Sequence, residues 1–386
     1  MPGEPIVRYF DNAATTPVDP AVVDAMQPFF HDRYGNASSL HRLGREARRS
    51  VDRARSELAT AVGFEPEEIV ITSGATEADN LALAGLFFAS SKRHLITCTT
   101  EHHAILHTCD WLESLGARIT RLGVDGEGRV DPAEVADALA DDTLVVSVML
   151  GNNEIGTIQP IERISEACRD RGVPFHTDAV QALGKIPLPS ASIDLLSLSA
   201  HKFHGPKGVG LLAVRRGLSL EPILHGGGHE GGRRSGTENV PGIVGMAAAA
   251  SLVVAALEQN SAQMAGFRQQ LIEGIERLPG TRLNGSRELG LPHIVNFSFA
   301  AIEGESLVMR LDEQGIAAST GSACSSPNLE ASHVLRAIGV PISMAHGSLR
   351  LSMGKQTSQE DVDTLLRVLP PVVEELRRMS PFKVGD

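Results

Sequence analysis

Lys202 lies in Ser199-Ala200-His201-Lys202-Phe203-His204-Gly205-Pro206-Lys207-Gly208, directly after the run Asp194-Leu195-Leu196-Ser197-Leu198. A short apolar run closed by glycine and proline reads as a buried strand that ends in a turn. A lysine at the mouth of a sheet is suited to imine formation, because partial burial and neighbouring cations favour the neutral amine and free its lone pair. Taken alone, such a lysine is more often a surface turn residue. Here it is accompanied.

Ser73-Gly74-Ala75-Thr76 joins an apolar strand to a helix. Glycine permits close backbone approach, and the free N–H groups of the helix start, with the Thr76 hydroxyl, suit a phosphate. A plain helix cap has the same signature, so this motif by itself is weak. Thr100-Glu101-His102-His103 follows the next strand, where an imidazole can stack on a ring or carry a proton. Asp178, in His176-Thr177-Asp178-Ala179-Val180-Gln181, ends another strand. A buried carboxylate there needs a cation, and a protonated pyridine nitrogen is one. Lys202 follows 24 positions later (202 minus 178), after one further strand. Phosphate cup, stacking histidine, strand-end aspartate and strand-end lysine together describe a site for pyridoxal 5'-phosphate (PLP), whose ring becomes an electron sink when its nitrogen is protonated.

Three further stretches carry polar chemistry. Gly226-Gly227-Gly228-His229-Glu230-Gly231-Gly232-Arg233-Arg234-Ser235-Gly236-Thr237 is a glycine-rich loop that suits either a phosphate or a mobile surface segment. Ala318-Ser319-Thr320-Gly321-Ser322-Ala323-Cys324-Ser325-Ser326-Pro327 sets a cysteine among small residues with little apolar area to bury, which predicts an accessible, mobile thiol nucleophile. Arg350, in Leu349-Arg350-Leu351, fits a carboxylate in a two-pronged grip, or a surface ion pair.

The elements that must position these groups alternate. From Glu68 onward, strands at 69–71, 95–97, 117–119, 144–148, 174–177, 195–198 and 209–214 are interleaved with helices at 77–89, 104–115, 132–139 and 161–171. This predicts a mostly parallel sheet sandwiched by helices, with ligands at the carboxyl ends of its strands. Before it, Leu43, Ala47, Val51, Ala54, Leu58 and Val62 trace the apolar stripe of a long helix, whose Arg48, Arg49, Arg53 and Arg55 read as a solvated face. Helices at 240–258 and 262–277 lead to a second pattern: strand 294–299, helix 306–314, strand 316–319, a short helix near Val334, strand 348–352 and helix 359–377. The predicted division is a large domain over 14–260 and a small α+β domain over 261–386, joined by the N-terminal segment 1–13.

Composition bounds the rest. At 386 residues the chain exceeds one typical core, and 42% hydrophobic with 21% charged residues is ordinary for a globular protein. A formal charge of -12 argues against a nucleic-acid surface. No apolar stretch reaches membrane-spanning length, and Met1-Pro2-Gly3-Glu4-Pro5 lacks a signal-peptide pattern, so a cytoplasmic location is expected. Cys98, Cys109, Cys168 and Cys324 form no Cys-x-x-Cys pair, Cys98 and Cys168 read as inert core residues, and the 14 histidines are expected to show no His-x-x-x-His metal spacing on a helix.

Taken together, Tyr9 to Pro17, Thr72 to Asn80, Asn152-Asn153-Glu154-Ile155-Gly156, Asp178 to Gln181, Ser199 to Gly210, Gly226 to Asn239, Ser319 to Ser326 and Leu349 to Ser352 resemble the cysteine desulfurases of iron–sulfur assembly and nitrogen fixation, within the class V aminotransferase group of PLP enzymes. Ala200 departs from the family, where glycine is common. The resemblance implies a type I PLP-dependent transferase fold and a homodimer. It implies that Lys202 carries PLP covalently, Asp178 pairs with the ring nitrogen, Gln181 meets the ring hydroxyl and His102 stacks on the ring. Ala75, Thr76, Ser199 and His201 would bind the phosphate with Thr237 of the other subunit. Asn153, which also lies at the cofactor, and Arg350 would hold the substrate carboxylate, and Cys324 would take the sulfur of L-cysteine as a persulfide for an iron–sulfur scaffold or sulfur relay protein. A selenocysteine lyase or ordinary class V aminotransferase is the alternative.

Overall fold

The computed structural model describes residues 7–189, 192–321 and 331–381. Cys324 lies outside the described residues. The strands, in chain order, are β1 (Arg8–Tyr9), β2 (Ile69–Thr72), β3 (His94–Cys98), β4 (Arg118–Leu122), β5 (Thr143–Ser147), β6 (Phe175–Asp178), β7 (Leu195–Ser199), β8 (Gly210–Val214), β9 (Thr281–Asn284), β10 (Ile294–Phe299), β11 (Ile316–Ala317) and β12 (Ser348–Ser352).

A seven-stranded sheet has the order β2-β8-β7-β6-β5-β3-β4. The contacts β3 to β4, β3 to β5, β5 to β6 and β6 to β7 are parallel, while β8 runs antiparallel to both β2 and β7. Reversing β8 alone leaves the other six strands running one way, with their carboxyl ends on one edge. The inner strands β5, β6, β7 and β8 are buried along their whole length, which is why β5, β7 and β8 read as largely apolar runs rather than alternating ones, while β6 buries the polar His176, Thr177 and Asp178. The helix Arg42–Val62 closes one face, burying Ala47, Val51, Ala54, Leu58 and Val62 and stopping on Gly63 at φ 72°, a left-handed position that suits glycine. The helix Ala75–Ala89 is buried almost all round, packing chiefly with β7, β8 and the helix His103–Ser114.

A second apolar core gathers Phe10 with Met264, Phe267, Leu271, Ile272, Ile275, β10, β12 and the helix Gln359–Met379. It is built on an antiparallel sheet of order β12-β10-β9, and β1 pairs parallel with β11. The helix expected to reach residue 258 stops at Ala255, and the next helix, Leu257–Ile275, leaves it at 71°. Strand β9, with sequence Thr-Arg-Leu-Asn, and β1 were not expected: neither has the apolar content that marks a strand, and both exist through pairing with β10 and β11. Among the described residues no single helix is long and apolar enough to cross a membrane.

Candidate active site

The shared carboxyl edge collects the expected groups. Leaving β2, the chain turns at Gly74 into the helix Ala75–Ala89, whose first amides have no partner within the helix. This turn packs so closely on β8 that a Cβ on Gly210 would meet Gly74 Cα at 2.7 Å and the Leu198 carbonyl at 2.5 Å. A Cβ on Gly74 would lie 3.6 Å from Ser199 Oγ, so the Ser199 hydroxyl at the end of β7 faces the turn that carries Ala75 and Thr76. Thr76, Asn80 and His102 line one cleft.

His102 follows the end of β3 and caps its helix, its Nδ1 accepting from the Ala104 N–H at 3.1 Å. The ring has an exposed face, but the protein crowding its inner side, and then the Lys202 cation, hold its pKa below the ordinary histidine value. Asp178 ends β6, where burial pushes its carboxyl up to about 6. One oxygen accepts from the Val180 N–H at 2.8 Å, and Lys202 is the cation whose charge opposes the rise. Burial, then Arg350, lowers Lys202 to about 8, while Asp178 and Asp11 pull it back. Its Nζ donates to the carbonyls of Ala13 and Ala14 at 2.8 and 2.9 Å. His201 faces the same N-terminal segment, with Nδ1 3.1 Å from Thr15 Oγ1. Gln181 is buried; its Nε2 donates to the Ala13 carbonyl at 2.9 Å and its Oε1 lies 3.2 Å from His293 Nε2.

Arg350, on β12, is only 4% exposed. Its Nη1 donates to the Asn153 carbonyl at 2.9 Å and its Nη2 to Asp11 Oδ1 at 2.7 Å. Asn153 therefore meets Arg350 through its backbone. Ser319 pairs with Arg350 on the other side, the Arg350 N–H donating to the Ser319 carbonyl at 2.6 Å, so the chain leading toward Cys324 starts at this site. After the undescribed segment, Ser332 donates to Glu154 Oε2 at 2.5 Å.

Several supporting residues escaped the sequence reading. Asn152 ties two loops together: its Nδ2 donates to the Thr100 carbonyl at 2.9 Å, and its Oδ1 accepts from the N–H groups of Glu154 and Ile155. The doubled asparagine before Glu154 was the signal. His176, buried behind Asp178, is held neutral by burial, at about 3, between Ser147 and Ser197. The fully buried Asp79 nearby is pushed well up, by burial and then by the Asp178 charge. His103 and His107 do stand four apart on one helix, contrary to the reading of the histidines above; their rings stack at 4.8 Å beside His333. No group of three His, Cys, Asp or Glu side chains among the described residues is arranged to hold a metal.

The arginines assigned to a solvated face also need correction. Arg49 and Arg53 are exposed, but Arg55 pairs with Glu230 and Arg48 with Glu238, both on or beside the glycine-rich loop. Arg234 of that loop pairs with Glu77 at the start of the helix Ala75–Ala89. The loop is thus anchored at three points to the sheet side of the site, and it presents Thr237 on the surface.

The donor set matches PLP without a conflicting group. A strand-end carboxylate lacks a full counter-charge, a helix start offers free amides beside Ser199, and a lysine of lowered pKa follows that serine and feels the carboxylate's charge. The family described as Aminotransferase class-V matches residues 8–365. The chain is 50% identical over 378 residues to "Cysteine desulfurase IscS" of Methanosarcina thermophila, covering 97% of this chain and 94% of that protein. It is 48% identical to the protein of the same name from Dictyoglomus turgidum (strain DSM 6724 / Z-1310), covering 97% and 96%. Among solved structures it resembles a "NIFS-LIKE PROTEIN" with TM-score 0.90 and 39% identity, covering 96% and 100% of the two chains. It also resembles "SspA in complex with cysteine", with TM-score 0.80 and 37% identity, covering 89% and 98%.

Proposed function

The chain belongs to the class V aminotransferase family of PLP-dependent enzymes, and from that membership we propose that it is a cysteine desulfurase working through the residues gathered at the sheet edge. It takes sulfur from L-cysteine, leaves L-alanine and holds the sulfur as a persulfide on Cys324. The observation that carries this reading is that Lys202 and Asp178, at the carboxyl edge of the large sheet, meet Arg350 of the second sheet across the segment 11–14, which accepts from Arg350 through Asp11 and from Lys202 through the Ala13 and Ala14 carbonyls.

Asp178 would face the ring nitrogen of PLP, Gln181 its hydroxyl and His102 its plane; Ala75, Thr76, Ser199 and His201 would hold the phosphate, joined by Thr237 of the partner in a homodimer. When bound, PLP supplies a sink for the electron pair left as the substrate Cα loses its proton. Arg350 grips the substrate carboxylate, with Asn153 beside it, and so fixes which bond at Cα is aligned for reaction. Lys202 Nζ, whose pKa of about 8 keeps a useful share of the amine neutral near pH 7, takes the Cα proton. His102, held neutral, exchanges protons on the opposite side. The Cys324 thiolate attacks the substrate sulfur: an S–S bond forms, the substrate C–S bond breaks, and the carbon is reprotonated to alanine.

The role given to Cys324 is supported by the described residues on either side of it: Ser319 pairs with Arg350 and Ser332 with Glu154. The small domain is taken as 261–386 with segment 1–13, against a large domain of 14–260, supported by Phe10 packing in the second core. An iron–sulfur scaffold or sulfur relay protein would receive the persulfide in the cytoplasm. The deciding experiment adds L-cysteine and weighs the peptide carrying Cys324. A gain of one sulfur, with alanine formed in step, is expected. A selenocysteine lyase or aminotransferase would leave that peptide unchanged and would keep its activity in Cys324→Ser, where sulfide release from L-cysteine should be lost.

A further inference from the structure

Arg350 is a buried cation that already has a carboxylate. Asp11 Oδ1 accepts from Nη2 at 2.7 Å, the Asn153 carbonyl accepts from Nη1 at 2.9 Å, and Nε is buried with no partner. Leaving a buried guanidinium without a counter-charge is strongly unfavourable, so Asp11 offsets a penalty that an amino acid's carboxylate would otherwise offset. Asp11 differs from Arg350 in one respect: its side chain is 23% exposed against 5% for Arg350. Water can therefore receive Asp11 if it is displaced, whereas Arg350 has nowhere wetter to go.

The chain around Asp11 belongs to the site as well. The Asp11 carbonyl accepts from the N–H groups of Ala14 and Thr15 at 3.1 and 3.4 Å, closing a turn. The carbonyls of Ala13 and Ala14 on that turn hold Lys202 Nζ. The Asp11 charge also favours the protonated form of Lys202. One acidic side chain thus addresses both cations that an incoming amino acid must meet, on a segment more than three hundred positions from Arg350 in sequence (350 minus 11).

We propose that Asp11 is an internal stand-in for the substrate carboxylate and sets the affinity of the site for α-carboxylates. In the free enzyme it neutralises and aims the Arg350 guanidinium. An arriving α-carboxylate takes over Nη2, fills the open Nε donor, and sends Asp11 to solvent. The competition for Arg350 weakens every ligand that uses it, beyond any effect of Asp11 on Lys202 that all amine ligands share. The inference rests on the reading above that Arg350 receives the substrate carboxylate.

The test compares holoenzyme and Asp11→Asn, which keeps the shape and removes the charge, with Asp11→Ser as a second variant should the first misfold. Dissociation constants are measured by calorimetry for L-alanine, which has the carboxylate, and for cysteamine, which lacks it. L-alanine should bind roughly 10-fold more tightly to the variant, the equivalent of one charge-assisted hydrogen bond, after correction for any change in cysteamine, which shares the effect of Asp11 on Lys202 but not the Arg350 contact. Added L-alanine should also raise the melting temperature of the variant by more than it raises that of the parent. Unchanged or weaker L-alanine binding in the variant overturns the proposal. Arg350→Gln separates the two readings: if it leaves L-alanine affinity intact, the assignment of Arg350 itself fails. If it abolishes binding while Asp11→Asn fails to tighten it, only the stand-in role of Asp11 falls.

Discussion

Arg55 grips Glu230 with two hydrogen bonds of 2.8 Å, one to each carboxylate oxygen. The second oxygen of Glu230 also accepts from the Ile71 N–H at 2.9 Å. One carboxylate therefore joins the long helix, β2 and the glycine-rich loop that carries Thr237. Glu230 accepts a left-handed backbone, φ 51°, to do so.

Glu230→Gly sets two magnitudes against each other. Glycine relieves a left-handed strain of about 1–2 kcal/mol, but losing the partner of a mostly buried arginine costs about 3–5 kcal/mol, and the Glu230 side chain is only 4% exposed. The net expectation is destabilisation by a few kcal/mol, read as a lower denaturation midpoint at unchanged slope. PLP affinity should fall as well, because the loop loses its anchor. A variant as stable as the parent would mean the pair contributes no more than the left-handed strain that glycine relieves.

This anchor shows where sequence reading stops. Asp178 and Lys202 were legible because each follows a predicted strand, and strand–helix alternation alone places such ends on one edge. Arg55 was not: its partner lies 175 positions away, and four arginines along one helix face read as solvated until the chain folds back. Asp11 was hidden for the same reason, in a stretch that reads only as a loop. His103 and His107 were present at a readable spacing and were passed over. Strands β1 and β9 had no local signal, since a polar four-residue strand exists only by virtue of its neighbour.

Asn152→Leu keeps the branched outline and removes four side-chain hydrogen bonds, one of them to Met149 Sδ. The Thr100 carbonyl and the N–H groups of Glu154 and Ile155 would be left without Asn152 as partner in a buried setting, at about 1–3 kcal/mol for each group left unpaired. Because the adjoining Asn153 carbonyl positions Arg350, KM for L-cysteine should rise several-fold in whatever fraction folds. Steady-state kinetics beside urea unfolding separate the two effects. An unchanged KM would show that Arg350 is held without help from this loop.

The amine of Lys202 should set a break in pH dependence. Burial and then Arg350 lower it to about 8, against the upward pull of Asp178 and Asp11. Only the neutral amine attacks an aldehyde, so the rate at which cofactor-free protein recaptures PLP should climb about tenfold per pH unit below that value and flatten above it. Arg350→Gln removes a cation and should move the break to higher pH. Asp11→Asn removes an anion and should move it lower. Stopped-flow absorbance of the yellow product follows all three proteins. A rate that keeps climbing to about pH 10 in each, as for a lysine in water, would mean that the neighbours of Lys202 leave its proton affinity untouched.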